Sequence, residues 1–163
     1  MIVRTGIVRT GVLSLLPMLG MASTNGCETN FPPATPEQIC SGDVDWQVLG
    51  FSPEQLETPA PGELPFARLA RGESAALRVT GRGAGAGALC DDWIARASWR
   101  AAEPDVVEVA PDGVRATVTG RRLGQTPLIV EVTLRDGRTS SAELFGTNAA
   151  GQRQPLFGIR VVR

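Results

Sequence analysis

The chain has 163 residues, a formal net charge of −1 and 42% apolar residues, enough for one cored domain and some additional length. All sixteen basic residues are arginine and there is no His, Lys or Tyr, which excludes histidine-dependent triads and histidine-bearing zinc sites. Nineteen Gly and twelve Pro point to a turn-rich β fold, and no basic patch is dense enough for nucleic acid.

Residues 1–10, MIVRTGIVRT, carry Arg4 and Arg9 and no acid; the apolar run GVLSLLPMLGMA and the small polar stretch STNGC follow. A positive start, a short apolar middle and a small-residue end predict a cleavable export signal over residues 1–26. The run is too short to span a bilayer, which takes about 20 apolar residues. The tandem IVRTG at 2–6 and 7–11 reads as a small duplication. Cleavage after Ala22, where Gly20 and Ala22 are small, competes with cleavage before Cys27, where STNGC resembles a bacterial lipoprotein box. In the second case Cys27 carries lipid, and Cys40 and Cys90 remain to pair. Otherwise Cys27 is a free thiol or bridges to one of the other two.

Residues 27–43, with ETNFPPATPEQ, read as a Pro-rich tether, and the domain is expected over 44–163. VDWQVLGF reads as a first edge strand, and Pro53, Pro59, Pro61 and Pro65 make the following stretch loop or extended chain. Leu77 and Val79 then alternate with Arg78 and Thr80, and RASWRAA centres on Trp99. Val107 and Val109 precede a Pro-Asp-Gly turn, with Val114, Ala116 and Val118 after it. Leu128, Val130, Val132 and Leu134 alternate with Ile129, Glu131, Thr133 and Arg135 before the hairpin signal Asp136-Gly137. Residues 138–155 read as an added hairpin or a long last loop, and LFGIRVVR closes the chain as a strand. Short strands separated by regular turn signals predict an all-β, antiparallel β-sandwich with Trp99, Val107, Val109, Val130 and Val132 facing its core.

The order LARGESAALRV, ASWRAAEPDVVEV and DGVRATVTGRRLGQTPLIVEV resembles a bacterial immunoglobulin-like domain of group 2. Gly72 and Ser74 match its first element, Trp99 with Pro104 its second, and Val107 with Val109 its valine strand. Gly113, Gly120 and Gly124 match its turn glycines, and Thr126 and Ile129 open the next strand. The match covers residues 64–135, with a final strand near 157–162. It implies an immunoglobulin-like Greek-key sandwich used for interaction or adhesion, without naming a ligand. The long loop GRGAGAGALCDDWIAR and the bend RAAEPD depart from the family pattern.

A Cys40–Cys90 bridge would draw Asp43, Asp45, Asp91 and Asp92 together. Four loop carboxylates are an oxygen set suited to calcium, against which stands turn capping by solvated carboxylates. No Asp-x-Asp-x-Asp-Gly spacing accompanies them. GRGAGAG lacks the Gly-Lys-Ser/Thr ending of a phosphate loop, and Glu103 and Asp105 read as turn residues. Trp46 and Trp93 either plug the ends of the sandwich or, if exposed, line a binding groove. The expectation is a non-catalytic, cofactor-free module of the periplasm, outer membrane or cell surface. It would bind a protein or glycan partner, bind no nucleic acid, and meet the membrane only through a lipid anchor. A carbohydrate-binding accessory and a periplasmic subunit pairing through an edge strand are the alternatives.

Overall fold

The alternating stretches form strands in the computed structural model, which describes residues 34–83 and 90–163. The expected signal segment 1–26 and Cys27 lie outside the described residues. The strands are β1 Val44–Phe51, β2 Phe66–Ala70, β3 Ser74–Gly83, β4 Ile94–Ala101, β5 Val107–Asp112 and β6 Arg115–Gly120. They continue as β7 Gly124–Leu134, β8 Thr139–Ser141, β9 Glu143–Thr147, β10 Arg153–Leu156 and β11 Gly158–Val162. One sheet has the order β10-β9-β1-β3-β6-β5, and the other the order β2-β11-β7-β4 with β8 paired to β7.

Alternate burial is clearest along β3, β6 and β7, and each sheet has one apolar face that needs cover. Trp46, Val48, Leu77, Val79, Val107 and Val118 come from the first sheet. Ala67, Leu69, Trp99, Val130, Val132 and Ile159 come from the second, and all twelve lie in one buried cluster. Full burial of one such large aliphatic side chain contributes about 1.5–3 kcal/mol. Trp99, Val107, Val130 and Val132 are buried as expected, but Val109 is only half-buried. It sits on β5, the outermost strand of its sheet, and is covered from one side.

The pairing departs from a purely antiparallel design. β1 pairs β9 in parallel, and β2 pairs β11 in parallel. Both pairs join an early strand to a late one, so no tight hairpin forces the antiparallel sense. VDWQVLGF is therefore an interior strand, flanked by β3 and β9, rather than an edge. Much of the 138–155 stretch is the β9–β10 hairpin with β8 before it. The expected tether also gives way to structure before residue 43. Thr35 caps a one-turn helix, α1 Pro36–Cys40: its Oγ1 accepts from the Gln38 N–H, and the Gln38 side chain accepts from the Thr35 N–H. Among the described residues no helix is long and apolar enough to cross a membrane.

Candidate functional site

The residues singled out for chemistry gather near the Cys40–Cys90 disulfide. Cys40 ends α1, and Cys90 opens a 3-10 turn at Asp91–Trp93 that leads into β4. The bridge joins residues 50 apart in sequence with a Cα–Cα distance of 5.5 Å, and both cysteines are buried. It pins α1 over the end of β3, where Ile39 lies against Gly83. Next along β3, the Trp46 indole lies against Gly81, where a Cβ atom would sit 2.3 Å from Trp46 Cζ3. Glycine at 81 is thus required by close approach, and Trp46 is only 3% exposed. Trp93 is half-buried and packs against the same core.

The four aspartates do not converge. Asp91 accepts hydrogen bonds from Thr80 Oγ1 at 2.8 Å and the Gly81 N–H at 3.1 Å, and it pairs with Arg78. These partners occupy the oxygens that calcium would use. Asp45 accepts from the Gln47 amide, and Gln47 in turn accepts from Arg153. Asp43 lines a shallow cavity of about 190 Å³ with Trp46, Arg138 and Ser140. Arg138 donates there to the Ser41 carbonyl at 2.8 Å and pairs with Asp136 at 2.7 Å. Asp92 is exposed. Among the described residues no group of three or more His, Cys, Asp or Glu side chains is placed to hold a metal ion. The bridge aligns the two backbones without bringing the two acidic pairs to one point.

Among the described residues two carboxylates have perturbed acidity, and both cap turns. Glu73 is held below its ordinary value because its carboxylate accepts the Ala70 N–H at 2.7 Å and then the Gln55 amide at 2.6 Å. Asp136 is lowered by the Arg138 backbone N–H and then by its guanidinium. Glu103 and Asp105 are exposed turn residues, with the Glu103 carbonyl accepting from the Val106 N–H at 3.1 Å.

An apolar groove of about 410 Å³ is lined by Leu64, Pro65, Leu128, Leu144, Leu156 and Phe157, among others. Leu64 and Phe157 on its rim are 54% and 49% exposed. Phe157 meets Phe66 edge-on at 5.6 Å, and the Arg160 guanidinium stands 5.2 Å from the Phe66 ring centroid while pairing with Glu57 at 2.6 Å. These residues come from distant parts of the chain, so no local pattern marks them as one surface. The chain matches no protein-family model, and no curated protein matches it.

Proposed function

We propose that this protein is a non-catalytic immunoglobulin-like module, exported to the bacterial envelope or cell surface, where it binds or scaffolds a protein partner. The observation that carries the reading is the placement of the Trp99 stretch. Trp99 is buried between the sheets, and its Nε1 donates to the Gly113 carbonyl at 3.1 Å, tying β4 of one sheet to the β5–β6 turn of the other. The bend RAAEPD carries the chain across from β4 to β5. A buried strand tryptophan and a connection that crosses between the sheets support the immunoglobulin-like reading. The buried disulfide is compatible with an oxidising compartment. The carbohydrate alternative has less to draw on, because no tryptophan among the described residues is exposed.

Fractionation of a bacterial host followed by intact-mass analysis of the mature chain tests the export half. The expected product begins after Ala22 or at a diacylglyceryl-modified Cys27, with Cys40 and Cys90 oxidised. A chain that keeps Met1, stays in the cytoplasm and carries free thiols at 40 and 90 overturns it.

A further inference from the structure

Among the described residues the outer strands of the two sheets are not equally protected. In an antiparallel ladder, successive residues turn their backbone groups alternately toward and away from the partner. On β5 the Arg121 N–H bonds to the Val106 carbonyl, and this sets the alternation so that Pro111 turns its nitrogen to the open side. On β10 the Asn148 N–H bonds to the Gln152 carbonyl, and Pro155 likewise turns its nitrogen outward. Both edges of the first sheet therefore lack a donor where an incoming strand would need one. On β2 the outer side is occupied: Leu56 bridges Ala67, and the Ala70 N–H is held by Glu73. β8 is only three residues long.

β4 has no such guard. It is eight residues long and contains no proline. The Ala102 N–H bonds to the Pro127 carbonyl, which assigns Arg96, Ser98 and Arg100 to the ladder with β7. Ala97, Trp99 and Ala101 then direct their N–H and C=O groups to the open side, and among the described residues no strand pairs with them. Their side chains turn toward the core, while Arg96, Ser98 and Arg100 stand exposed on the outer face. Among the described residues neither arginine is in an ion pair. The two are four residues apart, about 13 Å along the strand.

We infer that the β4 edge accepts an extended acidic segment of a partner protein as an additional strand of the second sheet. Main-chain bonds to Ala97, Trp99 and Ala101 supply the attachment, and Arg96 and Arg100 choose the sequence. A strand laid antiparallel to β4 places two of its own outer-face side chains directly opposite these arginines, so Glu or Asp four residues apart fits. In the register centred on Ser98 the same pair disfavours a second copy of this chain. Antiparallel self-pairing about Ser98 would set Arg96 against Arg100 twice, and like charges directly opposite are destabilising. The inference rests on the binding reading above, but not on export or on the immunoglobulin-like assignment.

The test titrates the full chain with the capped peptide Val-Glu-Val-Thr-Val-Glu-Val, with Val-Lys-Val-Thr-Val-Lys-Val as control, followed by amide NMR and hydrogen exchange. The acidic peptide is expected to bind, to slow exchange at Ala97, Trp99 and Ala101, and to leave the β10 edge unchanged. Arg96→Glu with Arg100→Glu should weaken it about tenfold or more and transfer the preference to the lysine peptide. Ala97→Pro, which installs the guard found at Pro111 and Pro155, should abolish binding of both peptides. The inference is overturned by a charge reversal that leaves the preference unchanged or by protection at a different edge. It also falls if the three amides are already protected in the free chain, meaning that another part of the chain fills the edge, or if the chain dimerises through β4. Each of these results leaves the outcome of the export experiment untouched.

Discussion

Removing the Cys40–Cys90 bridge is the most quantitative test of how this domain is held together. The cross-link closes a loop of 50 residues. The chain-entropy relation gives about 14 cal/mol/K for that loop, or about 4 kcal/mol at 25 °C. The folded unit spans residues 33–163, so its unfolding entropy near the midpoint is roughly 270 cal/mol/K. Cys40→Ala with Cys90→Ala should therefore lower Tm by roughly 15 °C. Because the effect acts on the unfolded chain, the m-value in urea should rise as the released chain exposes more surface. Single variants should lose about as much as the double, since either one abolishes the bridge. Urea and thermal unfolding of the three variants, beside the oxidised parent, give all these quantities. A double variant within about 1 kcal/mol of the parent would refute the reasoning. It would mean that Ile39 against Gly83 and Arg138 on the Ser41 carbonyl hold residues 34–43, and the Asp91 hydrogen bonds hold the Cys90 turn, without the covalent link.

Gly81→Ala would force a methyl group to within 2.3 Å of the Trp46 ring, and an overpacked core site of this kind loses about 1–3 kcal/mol, measurable by urea midpoint. Unchanged stability would show that the indole has room to move. Trp99→Phe keeps most of the buried ring but removes the donor to Gly113, so a loss of about 1–2 kcal/mol is expected, with faster amide exchange in the β5–β6 turn. A variant whose exchange matches the parent's would separate Trp99 from the joining of the sheets. Glu73 has a folded pKa below its ordinary value of 4.5, so its stabilisation is complete above that value and fades as pH falls through the lower folded one. Glu73→Gln should flatten the decline in stability below pH 4.5, read from Tm against pH, and parallel acid limbs would show that the carboxylate contributes nothing.

Much of the scaffold was legible because its signals are local. Leu77 with Val79, and Val130 with Val132, alternate with polar neighbours, and alternation alone states which side of a strand is apolar. The Asp136-Gly137 and Pro-Asp-Gly signals marked turns for the same reason. The candidate site was less legible, because it depends on partners far away in sequence. Whether Trp46 plugs the sandwich or stands exposed depends on Gly81, on the neighbouring strand, which provides the slot that buries it. Whether the four aspartates form an oxygen set or cap turns likewise depends on distant groups, and Arg78, Thr80 and Gly81 take up Asp91.

Composition and periodicity determined by themselves that this chain makes strands, which residues of them turn inward, and that histidine chemistry is absent. They also singled out Cys40 and Cys90 as a pair to consider. Tertiary structure decided the order of the strands, because pairing is a relation between segments and leaves no mark within either. It placed β9 beside β1 in parallel, making an expected edge strand an interior one. It also turned Pro111 and Pro155 from ordinary turn-rich composition into guards of open edges. A proline blocks pairing only where its missing N–H faces outward, and that direction exists only once the partner strand is in place.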